Sequence, residues 1–526
     1  MSKQIFFNED ARLKLKAGAD AVANAVKVSL GCSGKTVVIS HYYMDNPTVT
    51  KDGYTIAKHV NVTDEVENVG AEMMKSVSAK TVEEAGDGTT TATVLAQAIL
   101  SEGLKMVAAG SNSMDIKRGM DKAVSAVVSK IKELSIKIDG NNDLIKDVAT
   151  VSANNDAEMG ALIADAFDKA GDELLINIEE SQTIDTTIDV VAGLQIERGY
   201  VNQHFITDAN KAEAVLENPL ILVTDTDITL AKQVMPILEQ VLKTQRPVVI
   251  VCGNIENEAL SFVVLNKIKG GLKIAAVKPA NNYMSESLAD IAVVTGATVV
   301  SDITGCKLEN AKIEMLGSAD KVILTATTTT FIGGHGDKDK IESKKQEIKS
   351  LLADEKHPFN IDRLKKRIAK LSGGIAVMKV GAKTEVEMKE KIDRADDAVK
   401  ATKAAIEEGI VSGGGVTLIL ASAVLNDLKG ANEDETIGIN VIRKSLDAPL
   451  KQILENCGIK DSLVINKIKS GEEEGYNART GKFENLVNAG IIDPAKVVRC
   501  ALQNASSVAG MIISSECLMA EVPVKK

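Results

Sequence analysis

The stretch Gly86-Asp87-Gly88-Thr89-Thr90-Thr91 places one carboxylate, two glycines and three hydroxyls directly before a helical pattern in which Val94, Leu95, Ala98 and Ile99 share a face. Backbone N–H groups at a helix start favour anions, and glycines let a phosphate approach them closely. Asp87 could then hold Mg²⁺, a hard cation that takes oxygen ligands and shares them with substrate phosphates. The same residues also describe an ordinary capped helix, since Thr and Asp are common cap residues, and the local pattern alone favours the cap. Other carboxylates are scattered: Asp52 lies in Thr50-Lys51-Asp52-Gly53, and Asp393, Asp396 and Asp397 sit together on a charged helix. By spacing alone that trio is a solvated helix face.

The elements that must position these groups read as follows. Helical patterns cover Asp10 to Val28, Glu65 to Val82, Thr90 to Ala109 and Met114 to Leu134. Lys51-Asp52-Gly53 reads as a hairpin turn between strands Thr48-Val49-Thr50 and Tyr54-Thr55-Ile56, and Asp45-Asn46-Pro47 as a further turn. Gly31-Cys32-Ser33-Gly34-Lys35-Thr36 ends like a phosphate-gripping P-loop. That motif requires a glycine where Ser29 stands, and it needs strand, loop, helix; here a helix precedes and a strand, Val37-Val38-Ile39, follows. A small-molecule kinase built on this loop is rejected for the same reason. Short helices (142–150, 156–170) lead to a strand at 174–178. Apolar runs at 220–223, 248–251 and 274–277 alternate with helices at 232–243 and 256–269, which implies an α/β segment with parallel pairs. Charged helices at 338–355 and 362–371, a strand at 375–380, the helix 385–409, a break at Gly413-Gly414-Gly415 and an Ala-rich helical block complete the chain.

With 526 residues, two to four domains are expected. The 73 acids against 62 bases leave a formal charge of −11, which argues against nucleic acid held on a general basic surface. Aromatics are 3% with no Trp, so the cores must be built from Ala, Val, Ile and Leu. The six cysteines contain no C-x-x-C and the five histidines no ligand spacing, so free thiols are expected. The N-terminus becomes polar too soon for a signal-peptide core and no apolar run reaches a membrane span, so a cytoplasmic protein is expected.

The stretch Ala85 to Ile99, together with Thr50-Lys51-Asp52-Gly53, Val380 to Lys391, Ser412-Gly413-Gly414-Gly415 and Gly475-Tyr476-Asn477-Ala478, resembles the group I chaperonins, the sixty-kilodalton ring family of the GroEL type. The similarity runs in consistent order to about Val522. It implies a multidomain α and α/β chaperonin fold. Residues 1–134 and 408–526 would form a mostly helical equatorial domain, 135–190 and 375–407 a small α/β intermediate hinge domain, and 191–374 an α/β apical domain. It also implies an ATPase that binds nonnative polypeptides and encloses them in a ring cavity, driven by Mg-ATP hydrolysis.

Carried over by position, Ser29, Leu30, Gly31, Cys32, Lys51, Asp52, Gly53, Asp87, Gly88, Thr89, Thr90, Thr91, Gly414, Asn477, Ala478, Ile491 and Asp493 would line the nucleotide. Asp87 resembles the Mg²⁺ ligand; Ser29, Lys51 and Thr90 fall where the family places K⁺. Asp397 matches the catalytic carboxylate and Asp52 its helper. In the apical part, Tyr200, His204, Phe205, Met235, Leu238, Leu260, Val264 and Leu265 would form an exposed groove for client segments and a co-chaperonin lid.

Several positions depart from the family. Cys32 replaces a proline, His204 an aromatic, Pro279 to Ser285 shortens the apical loop, and the Gly-Gly-Met tail is absent. At the contact between two seven-membered rings, Lys451 and Lys460 replace an opposite-charge pair, whereas Lys105 and Glu433 keep one. Like charges at 4 Å repel by about 1 kcal/mol in water and about 4 at an effective dielectric of 20, so a ring whose pairing is weak or nucleotide-dependent is expected. The alternative function is a nucleotide-insensitive holdase or structural ring with the same fold; the presence of Asp52, Asp87 and Asp397 argues against it.

Overall fold

The structure, a computed structural model, describes residues 2–40, 47–138, 142–153, 156–170, 175–181, 183–208, 211–279, 283–355, 357–372 and 374–522. Two compact units emerge: Met1–Asp165 with Gln182–Asp185 and Val380–Lys526, and Ala166–Ser181 with Thr186–Lys379. Residues expected in a separate hinge are divided between the two.

The first unit is a helical body. Helices Asn8–Val26, Glu65–Ala85, Thr89–Ala108, Ser113–Leu134, Glu433–Ser445 and Ala495–Ser514 share one core of Ala, Val, Ile, Leu and Met side chains. Helix Thr89–Ala108 buries every residue from Ala92 to Ala96, then Ile99, Leu100 and Gly103. That is more than a single stripe, so this helix runs through the interior and not along its edge. Strand Ser2–Phe7 pairs antiparallel with Cys517–Val522, joining the two ends of the described chain.

One local expectation fails. Tyr54-Thr55-Ile56 is not a strand but part of helix Gly53–His59, and Thr48–Thr50 pairs instead with Val37–Ile39. The Asp52 carboxylate accepts hydrogen bonds from the N–H groups of Tyr54 (3.1 Å) and Thr55 (2.7 Å), so it caps a helix where a hairpin turn was expected. The loop that mimics a P-loop connects the 3₁₀ turn Lys27–Ser29 to strand Val37–Ile39, the order that disqualifies it.

The second unit holds a mixed nine-stranded sheet. Strands Ile274–Val277, Val248–Val251, Leu220–Val223, Gly317–Leu324, Thr329–Gly334, Thr187–Ile196, Gly374–Val380 and Leu175–Glu180 lie in that order, and Ala214–Glu217 also pairs with Gly317–Leu324. The first three are parallel, as their alternation with helices Ala231–Thr244 and Asn257–Gly270 implies. Gly317–Leu324 pairs antiparallel with Leu220–Val223 and with Thr329–Gly334, and Thr187–Ile196 pairs antiparallel with Thr329–Gly334 and with Gly374–Val380, which strand–helix alternation did not foreshadow. The turn residues Asp45-Asn46, Leu174, the Ala280-Asn281-Asn282 part of the apical loop, Gly373 and the last four residues lie outside the described residues.

Candidate active site

Two helices meet at the Gly86-Asp87-Gly88 link. Helix Glu65–Ala85 ends at Gly86 (φ 78°), and helix Thr89–Ala108 starts from Gly88 (φ 83°), both left-handed. A Cβ on Gly86 would collide with the Lys400 side chain and one on Gly88 with Val497, so only glycine provides both backbone shape and space. The link is held between helix Glu385–Glu408, which carries Asp397 and Lys400, and helix Ala495–Ser514. Ala85, Ala404, Val497 and Cys500 form a small apolar cluster joining the three segments.

The start of helix Thr89–Ala108 has no side-chain cap. The Thr93 hydroxyl donates to the Thr89 carbonyl at 2.8 Å, and the Asp87 carboxylate accepts from the Gly88 N–H at 2.5 Å. The capped-helix reading of this stretch therefore fails, and the helix presents an end that favours an anion. A Cβ on Gly53 would collide with the Thr89 and Thr90 hydroxyls, so the Asp52-capped helix starts directly against this turn.

Five carboxylates and one ammonium interact here. Asp397 is raised well above the ordinary carboxylate range by burial, then by the charges of Asp87, Asp52 and Asp396, with Lys400 opposing. Asp87 is raised by burial and by Asp52, against the Gly88 amide and Lys400. Asp493 is pushed up to about 7 by burial and by Asp87. For Lys400, burial pulls the pKa down, but Asp396 (2.6 Å away), Asp397 and Asp52 outweigh it and the net shift is upward. Carboxylates that oppose each other's ionisation form a site that a bound cation would relieve. Among the described residues no three His, Cys, Asp or Glu side chains converge as an all-protein metal cage. The donors fit Mg²⁺ shared between a carboxylate and phosphate oxygens, its common mode.

Asp493 lies on strand Ile492–Pro494, paired with Ile410–Ser412, and accepts from the Gly414 N–H; the Gly413 N–H donates to the Ile491 carbonyl at 2.9 Å. Ala478 and Ile491 pack on a small core that includes Val416, Ile419, Leu450 and Leu454. The Asn477 side chain is committed to its own hairpin, accepting from Arg479 and Thr480 and donating to Glu484 at 2.7 Å. Ser29 donates to the Val26 carbonyl, Leu30 is half-buried, and Gly31, Cys32 and Lys51 are exposed. Lys400 was missed in the sequence. Its signal was position: one turn beyond Asp396 and Asp397, it supplies the positive charge those acids need.

In the second unit the groove residues divide. Met235 (39% exposed) and Leu265 (50%) face solvent, as do the unanticipated Leu242 and Leu230. Leu260, Val264 and Tyr200 are half-buried against the core. Leu238 (5%) and Phe205 (0%) are corrections: both are interior, part of this unit's apolar core and not open to a groove. His204 is exposed, and its carbonyl, with that of Ile206, accepts from Lys267 Nζ at 2.7 and 2.9 Å, tying the Gln203–Phe205 turn to helix Asn257–Gly270. Of the positions expected at a contact between rings, Lys451, Lys460 and Glu433 are exposed, and Lys105 pairs with Glu102 of its own helix at 2.5 Å.

The TCP-1/cpn60 chaperonin family matches residues 22–523, and the chain belongs to that family. It is a chaperonin. Among solved structures it is similar to the chaperonin gp146 from the bacteriophage EL 2 (Pseudomonas aeruginosa), crystallised in the presence of ATP-BeFx. One crystal form gives 22% identity over 99% of each chain with a TM-score of 0.72, and a second gives 21% identity over 99% of each chain with a TM-score of 0.65. At these identities the likeness is one of fold. Among the described residues no helix is long and apolar enough to cross a membrane.

Proposed function

We propose that this chaperonin hydrolyses ATP at the Asp87 link and uses the cycle to bind, enclose and release nonnative polypeptides. The observation that carries this is the convergence of Asp52, Asp87, Asp397 and Asp493, from four distant segments, beside an uncapped helix start. In this reading the first-turn amides and hydroxyls of Thr89, Thr90 and Thr91 hold phosphate, Asp87 binds Mg²⁺, and Ser29, Lys51 and Thr90 hold K⁺. Mg²⁺, when bound, neutralises charge on the phosphates. Asp397 orients the attacking water and accepts its proton, Asp52 assists it beside that water, and Lys400 sets the charge of Asp397. Ala478, Ile491 and Asp493 receive the nucleoside.

Residues 1–134 with 408–526, 135–190 with 375–407, and 191–374 act as equatorial, hinge and apical parts, so that a hinge movement governs hydrolysis. Met235 and Leu265 offer apolar surface to clients and to a co-chaperonin lid. The subunits form seven-membered rings, and Lys451 facing Lys460 weakens their pairing; native mass spectrometry with and without ATP tests this, and a stable double ring in every state would refute it. The central test is Mg²⁺-dependent ATP hydrolysis by the purified protein, followed by refolding of a denatured client with and without a co-chaperonin. No hydrolysis under any condition would favour the holdase.

A further inference from the structure

The exposed Cys32 and the half-buried Cys457 hold their sulfurs 3.8 Å apart across 425 residues of sequence. The backbones that carry them are tied together. Asn456 donates its side-chain amide to the carbonyls of Lys27 (3.0 Å) and Leu30 (2.8 Å), and Gly31 lies so close to Ile453 that a Cβ there would fall 3.0 Å from Ile453 Cγ1. Cys457 closes helix Ala448–Asn456, so it sits on a regular element and not on a free loop. A disulfide requires sulfurs about 2.05 Å apart. Side-chain rotation and a small backbone adjustment, less than ~2 Å of sulfur movement, would suffice.

We propose that Cys32 and Cys457 are a reversible redox pair, oxidised by hydroperoxides to a disulfide that locks the Leu30-Gly31-Cys32 loop onto the end of helix Ala448–Asn456. The exposed Cys32 thiolate attacks the peroxide oxygen, giving a sulfenic acid and, for hydrogen peroxide, one water after proton uptake. Cys457 sulfur then attacks the Cys32 sulfur and expels a second water. Two thiols lose two electrons and two protons in all, and the peroxide is reduced to two waters. Burial and the hydrogen bond with Cys457 raise the Cys32 thiol above its ordinary value, so thiolate is scarce and the pair responds to sustained exposure and not to traces. Because the loop belongs to the proposed nucleotide site, and resting on that reading, closing the bond slows ATP turnover.

The test uses the full-length protein treated with hydrogen peroxide. Non-reducing digestion and mass spectrometry are expected to give a Cys32–Cys457 cross-linked peptide from chains of monomer mobility on a non-reducing gel. The species should vanish with dithiothreitol and be absent in Cys457→Ser. Oxidised wild type should turn over ATP at least threefold more slowly than reduced wild type, with Cys457→Ser unaffected by peroxide. Absence of that peptide, or pairing of Cys32 only between chains, overturns the redox pair. The cross-link forming with unchanged binding of a fluorescent ATP analogue and unchanged turnover overturns its regulatory effect. Failure of the reduced protein to bind the analogue sinks the nucleotide reading and the regulatory effect with it, while the mass measurement still decides the cross-link.

Discussion

The two units treat unfavourable groups in opposite ways. The helical unit draws charge out of water: Asp87, Asp397 and Asp493 are half-buried, Asp87 raises the pKa values of the other two, and one ammonium, Lys400, opposes the shift at Asp87 and Asp397. The sheet-bearing unit exposes apolar surface: Leu265 is 50% and Ile268 61% exposed on a helix whose opposite side meets the core. Both arrangements cost free energy that packing alone would avoid, and in the proposed function each marks where a unit acts and not merely folds. Charge drawn out of water suits chemistry on a small anionic ligand with its cation. Exposed apolar surface suits capture of chains that have no defined shape.

The comparison can be broken by removing each feature separately. Asp397→Ala should lower ATP turnover by about 10²- to 10⁴-fold, the usual contribution of a positioned acid or base, while client capture stays unchanged. A variant that hydrolyses at the wild-type rate would remove Asp397 from the chemistry. In the other unit, Leu238→Ala should cost about 2–5 kcal/mol of stability in denaturant titrations, as for other buried leucines; a negligible loss would return Leu238 to the groove.

The double variant Leu265→Ser, Ile268→Ser should behave in the reverse manner. Its stability should stay within about 0.5 kcal/mol of wild type. Its affinity for an unfolded client should fall at least about tenfold, since burying one such side chain contributes roughly 1.5–3 kcal/mol. Unchanged client affinity would place the capture surface elsewhere.

The smallest effect separates structural charge from functional charge. Arg499 grips Glu408 with two hydrogen bonds of 2.5 and 3.0 Å, and its hydrogen bonds hold the Glu408 carboxyl below the ordinary value of 4.5. A depressed carboxylate stabilises the fold above its unfolded pKa, and that contribution is lost as pH falls through the folded value. Glu408→Gln should therefore lower stability by about 1 kcal/mol at pH 7, and the difference from wild type should shrink below pH 4.5. A difference that persists unchanged at acid pH would show that packing, not charge, is what the substitution removes.

Much of this was legible residue by residue. Helix Glu385–Glu408 carries the expected charge alternation, and Ser113–Leu134 buries one regular stripe from Ile116 to Ile131. Where the reading failed, a local signal was ambiguous. Lys51-Asp52-Gly53 suits a hairpin turn and a helix cap equally, and two hydrogen bonds to Asp52 decide for the cap. Met235 and Leu238 lie one turn apart, yet one faces solvent and the other the core, because the orientation of a helix is set by what it packs on.

The order of residues by itself determined the helices, the strand–helix alternation and the stretch around Asp87, because 3.6-residue periodicity, turn residues and short motifs act over a few neighbouring positions. The likeness of its motifs to a family carried Asp397 and Asp493 to the same site in advance, but no local property of either residue did. Only the tertiary structure decided that these carboxylates, Lys400 and Asp52 share one half-buried site, and that Cys32 meets Cys457. Coulomb interaction, desolvation and bond formation depend on distance through space, and packing alone sets that distance for segments hundreds of residues apart.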